Sequence, residues 1–69
     1  MPIVSVKIGK GRPIKIKRNL VKSVTKAVSE SLDLEPELIS VLIEEFEREN
    51  WSTGGELHSD KYGEGFGKK

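Results

Sequence analysis

The chain has 69 residues, no cysteine, one histidine and a net charge of +1. A chain this short makes a single domain that buries only about 60% of its unfolded surface, which is marginal for a monomer. Disulfides and thiolate metal sites are excluded, the lone His58 cannot hold a metal unaided, and oligomerisation is the remaining source of stability.

No apolar run approaches the roughly 20 residues of a membrane helix, and no signal peptide is present. A soluble, cytoplasmic oligomer with no membrane association is expected. The small net charge conceals an asymmetry. Eight of the twelve basic residues lie before residue 31, against the single acid Glu30. Such a division fits a nucleic-acid surface, opposite halves meeting across subunits, or a cationic pocket for a small anion.

The chain opens Met1-Pro2-Ile3-Val4-Ser5-Val6-Lys7-Ile8. Val4, Val6 and Ile8 share one face of a strand, and Ser5 and Lys7 the other. Methionine is commonly removed before a small residue, leaving Pro2 as a free secondary amine. A proline at this position also suits the start of an edge strand and nothing more. As a terminus it is a base that works near neutral pH if burial or a nearby cation disfavours its ammonium form.

Gly9-Lys10-Gly11-Arg12-Pro13 breaks the strand. Ile14 to Leu32 reads as an amphipathic helix, with Ile16, Leu20, Val24, Ala27, Val28 and Leu32 forming the apolar stripe and Ile14 and Val21 at its margin. Lys17 falls inside that stripe and must snorkel or lie in a frayed first turn. No side chain caps the start, although Pro13 suits a first helical position.

Pro36 pushes the preceding residue out of helical geometry and closes the helix region. Ile39 to Ile43 is a β-branched apolar run, the pattern of a central strand covered on both faces. Trp51 to Leu57 reads as a turn or short hairpin hinged on Gly54-Gly55. Residues 58–69 form a polar, glycine-punctuated tail, expected to be mobile unless docked. Strand, long helix and strand make a β-α-β unit with parallel strands. Its uncovered sheet face needs a partner, for which identical chains are the natural candidates.

A proline at position two, Gly11-Arg12 ten residues on, a helix ending in Ser31-Leu32-Asp33, an apolar strand and Trp51-x-x-Gly54-Gly55-Glu56-Leu57 together resemble the 4-oxalocrotonate tautomerase family, of the small tautomerase superfamily. The resemblance covers residues 2–57. It implies an α+β fold: a tautomerase-type β-α-β unit with parallel strands and a short C-terminal hairpin, assembling through sheet pairing into oligomers. The tautomerase domain is then 1–57, and 58–69 is the tail.

The resemblance also implies an isomerase that needs no metal or cofactor. Pro2 is its catalytic general acid/base, moving a proton within a small anionic enol or 2-hydroxydienoate to give the unsaturated keto acid. Arg12 matches the family's first arginine and implies carboxylate binding, and Trp51 matches an aromatic residue, usually phenylalanine, that walls the pocket. Ser40 occupies the place of a second arginine, so it can offer a hydrogen bond to substrate but no cation. Lys10, Lys7 and Arg48 are each available to compensate. The implied assembly is a homohexamer, a trimer of dimers.

Two other readings compete. On the same fold, Pro2 could act as an acid in hydration or dehalogenation of an unsaturated acid, with a carboxylate among Glu44, Glu45 and Glu56 activating water. A non-catalytic binding module would use the basic helix face of Lys15, Arg18, Lys22 and Lys26. That half of the chain carries no stacking aromatic and no nucleic-acid motif, so no nucleic-acid partner is expected.

Overall fold

The structure, a computed structural model, describes residues 1–62. Strand β1 (Ile3–Gly9) leads through a glycine turn to helix α1 (Ile14–Leu32). A 3-10 turn at Pro36–Leu38 precedes strand β2 (Ser40–Phe46), and a second at Arg48–Asn50 follows it. Strands β3 (Ser52–Thr53) and β4 (Glu56–Leu57) form the hairpin, and a short helix α2 (His58–Tyr62) follows. β1 pairs with β2 in parallel, and β3 with β4 in a separate antiparallel ribbon. The expected β-α-β unit and terminal hairpin are both present.

Contacts divide the chain into two compact units, Met1–Val6 with Pro13–Ile43, and Lys7–Arg12 with Glu44 onward. The first holds α1 and the leading halves of both long strands. Half-burial on α1 recurs at Lys17, Leu20, Val21, Val24, Thr25 and Val28, and on the strands it alternates at Val4, Val6, Val41 and Ile43. These are the two periodicities of a helix laid along one face of a sheet.

The stripe is rotated from the one expected. Ile16 and Ala27 lie on its outer side and Leu32 at its end, and all three are exposed. Lys17 is half-buried, as its place in the stripe requires. The opposite sheet face is also open, with Ile3 at 67% and Leu42 at 53% exposure. The expectation of a β2 covered on both faces therefore fails for the single chain. None of the described hydrophobic side chains is fully buried, so one chain by itself supplies little of the apolar burial that stabilises a fold.

Local chemistry sets the boundaries of α1. Pro13 stands just before it in extended geometry and offers its carbonyl to the Ile16 and Lys17 amides, at 3.1 and 3.3 Å. At the other end Asp33 adopts the left-handed conformation, φ 58° and ψ 52°. The Leu34 amide returns to the Ser29 carbonyl at 3.1 Å, and the Ser29 hydroxyl donates to the Leu34 carbonyl at 2.6 Å. The helix thus stops three residues before Pro36 through its own C-terminal turn.

The second unit contains the hairpin. Ser52 pairs with Leu57 and Thr53 with Glu56, leaving Gly54 and Gly55 as a two-residue loop with φ of 67° and 86°. Positive φ at both central positions is the signature of a type I′ turn, whose twist matches the flanking strands. Beyond it His58–Tyr62 is helical, where a mobile tail was expected. The rest of that tail, 63–69, lies outside the described residues.

Candidate active site

Pro2 and Ser40 meet in the first unit. The Ser40 amide, at the head of β2, donates to the Pro2 carbonyl at 3.1 Å. Pro2 is half-buried, whereas Met1 beyond it is 88% exposed. The ladder therefore holds residue 2 through its carbonyl, and its nitrogen stands at the strand's free end. Ser40 is exposed beside it, so a hydroxyl lies on the strand next to the candidate base.

Arg12 and Trp51 belong to the second unit. Gly11, at φ 128°, turns the chain tightly after β1, and Arg12 folds back so that its Nη1 donates to the Gly9 carbonyl at 3.2 Å. Arg12 is half-buried, and this contact engages one of its five N–H donors. The same turn carries Lys10. Its amide donates to the Phe46 carbonyl at 2.9 Å, and its ammonium meets Glu47 Oε2 at 3.0 Å. The hydrogen bond and charge of Glu47 raise the Lys10 pKa above the ordinary 10.5.

Trp51 is held on two sides. The Phe46 ring meets it edge-on, with centroids 6.2 Å apart and planes at 78°. The His58 imidazole stacks on it at 5.2 Å and 16°. His58 is fixed in turn: its amide donates to the Trp51 carbonyl at 2.7 Å, its Nε2 lies 2.8 Å from Thr53 Oγ1, and Tyr62 meets its ring edge-on at 5.1 Å. Such offset and T-shaped contacts favour one ring orientation.

The indole, with Phe46, lines a cavity of about 420 Å³ whose polar wall is Lys7, Asn50 and Ser52. A concave space with an aromatic wall and a few polar groups is suited to a small ligand. Lys7 meets Glu44 at 3.9 Å, a loose and exposed pair that holds its ammonium weakly. Arg12 is not among the residues of this cavity.

The roles of His58 and Gly9 were not legible from residue order, and Lys7 stood only as one of three cations available to compensate for the second arginine. His58 lies in a segment that looked like tail, and Lys7 in one that looked like strand surface. Gly9 gave a faint sign, since a glycine closing a strand often marks a close approach by another group.

A family model for tautomerase enzymes matches residues 2–61. The chain belongs to the tautomerase family. It is 43% identical over 61 residues to a probable tautomerase of Halalkalibacterium halodurans, covering 88% of this chain and all of that one. It is 43% identical over 60 residues to the 2-hydroxymuconate tautomerase of Bacillus subtilis, covering 87% and 97%. Among solved structures, a 4-oxalocrotonate tautomerase homologue superposes with a TM-score of 0.82 at 38% identity, covering 91% of this chain and all of the other. The tautomerase family match extends past Leu57 and takes in most of α2. Among the described residues no helix is long and apolar enough to cross a membrane.

Proposed function

We propose that this tautomerase converts a 2-hydroxydienoate or related enol acid to its unsaturated ketone, with Pro2 as general acid/base once Met1 has been removed. The observation that carries this reading is the attachment of Pro2 through its carbonyl to Ser40, which leaves its nitrogen at the end of the strand. The neutral amine accepts the enol O–H proton and returns a proton to a carbon further along the conjugated system. One O–H bond is lost and one C–H bond is gained, with no net redox change and no cofactor.

Arg12 binds the substrate carboxylate through its planar fork, drawing electron density toward it. Trp51 walls the pocket and helps exclude water, so that the uncharged amine is favoured over the ammonium. Ser40 offers a hydroxyl near the reacting end of the substrate.

The active form is a homo-oligomer, a hexamer built as a trimer of dimers, located in the cytoplasm. The exposed Ile3 and Leu42 on the open sheet face support assembly, because a solitary chain leaves them in water. The domain proper is 1–57, with 58–69 a tail whose first turn carries His58.

The test is ketonisation of a simple 2-hydroxydienoate followed by absorbance, with intact mass establishing that Met1 is absent. Pro2→Ala keeps a free N-terminus but loses the secondary amine, and activity should fall by about 10²-fold or more. Wild-type activity should decline as pH falls and the amine is protonated. A processed wild type that is inactive on several such substrates refutes the reading, and activity that declines instead as pH rises points to proline acting as an acid.

A further inference from the structure

The type I′ turn at Gly54-Gly55 fixes the register of the hairpin, pairing Thr53 with Glu56 and Ser52 with Leu57. One step further down, the same register sets Trp51 directly opposite His58. Trp51 is still extended there, at φ −134° and ψ 122°, and its carbonyl accepts from the His58 amide at 2.7 Å. Side chains alternate along a strand, so Trp51, Thr53 and His58 share one face of the ribbon. Both contacts of the imidazole follow from that placement. It stacks on the indole directly across, with centroids 5.2 Å apart and planes at 16°, and its Nε2 lies 2.8 Å from the diagonal Thr53 Oγ1.

A ring that is stacked and hydrogen-bonded at once has few orientations open to it, and it restricts its neighbour in the same measure. Tyr62, one turn along α2 from His58, adds an edge-on contact to the imidazole at 5.1 Å. Trp51 and His58 are each only half-buried, so within the chain the indole is oriented by these ring contacts and not by an enclosing core. The cavity of about 420 Å³ is lined by Trp51, Phe46, Lys7, Asn50 and Ser52, and His58, Thr53 and Tyr62 are not among its walls. The imidazole therefore acts on an occupant of that space only through the indole.

We propose that His58 is a positioning residue that fixes the setting of the Trp51 indole and thereby the size of unsaturated acid that the cavity accepts. The proposal rests on the reading of Trp51 as a wall of the substrate pocket. With the wall held in place, a short acid finds a ready-made surface and a bulky substituent collides with it. Released from His58, the indole gains orientations, so the short acid must order it on binding while the bulky one finds room.

The experiment titrates crotonate, and separately cinnamate, which carries a phenyl group where crotonate has its methyl, into the assembled, Met1-processed protein by NMR. The ratio of the two affinities reads the wall, and relaxation of the single indole N–H reads its motion. His58→Ala should shift the ratio toward cinnamate about fivefold, the scale of ordering one side chain, and make the indole more mobile. Thr53→Val keeps the imidazole and a β-branched strand residue while removing the hydroxyl, and should move both readings the same way by less. His58→Phe restores a ring across from the indole and should recover most of the wild-type ratio.

The proposal is overturned if His58→Ala keeps the wild-type ratio, if both acids weaken alike, as simple loss of stability would make them, or if the indole stays as ordered as before. Should His58→Ala fail to fold, Thr53→Val decides alone, and an unaltered ratio and indole mobility there overturn the proposal. Acids that bind without disturbing the indole signal would remove Trp51 from the pocket, and the proposal with it. Turnover is scored separately. A ratio that depends on His58, in a protein inactive on every 2-hydroxydienoate, would sink the proton-transfer reading and leave the positioning of Trp51 standing.

Discussion

The hairpin offers a test in which backbone conformation and side-chain crowding separate cleanly. Gly54 and Gly55 have φ of 67° and 86°, and a β-carbon built at either would meet no atom within 4 Å. Any penalty for adding a side chain there is therefore conformational. An L-residue placed in the left-handed region costs roughly 1–2 kcal/mol, so Gly54→Ala and Gly55→Ala should each lower stability by about 1 kcal/mol or more. Gly54→Asn should cost far less, because asparagine tolerates this conformation and Asn-Gly is the preferred type I′ pair. Urea denaturation followed by circular dichroism, at fixed protein concentration, measures all three. The reasoning is refuted if Gly54→Ala is as stable as wild type, or if Gly54→Asn is destabilised as much as Gly54→Ala.

Replacing the exposed Leu42 with lysine should shift the protein toward smaller species in sedimentation velocity; an unchanged mass would remove the open sheet face from the assembly. Asp33→Gly should raise stability by about 0.5–1 kcal/mol, since glycine takes the left-handed conformation without penalty, and thermal melting would show it. Lys10→Met should melt lower than wild type at neutral pH, because the raised Lys10 pKa means its protonated form is favoured by folding. That contribution is whole below the ordinary 10.5 and disappears as pH climbs through the raised value, so the two melting curves should converge in strong alkali.

The fold was largely legible because its parts announce themselves locally. Alternation in β1, a long amphipathic run and a glycine pair gave the strand, the helix from Ile14 to Leu32 and the hairpin in their observed places. Strand β2 was read too short. Glu44 and Glu45 look like a polar exit, yet the ladder continues until the Lys10 amide bonds Phe46, a contact set by a distant strand. The α1 stripe was misaligned because Ile16 and Ala27 extend the apolar pattern while the half-buried centre runs through Val21, Val24 and Val28. α2 was missed because its anchor is a ring stack with Trp51 and not an apolar pattern of its own.

For the candidate site, residue order identified Pro2, Arg12, Ser40 and Trp51 only through a family pattern. The neighbourhood of Pro2 and Ser40 depends on strand register, which residue order leaves implicit. Three candidates could compensate for the missing arginine, and chemistry alone gave no reason to prefer one. The closeness of Arg48 to Gly9, 39 positions earlier in the chain, appears only once β1 and the turn after β2 are side by side.

Trp51 is the chain's single tryptophan, and its indole faces both an imidazole and the cavity. All of the protein's indole emission therefore originates at one known address. A ligand entering the cavity would strip water from the ring and alter the colour and intensity of that light, while loosening of His58 would change its quenching. The molecule carries its own optical gauge of occupancy and of hairpin integrity, readable without a label and without turnover.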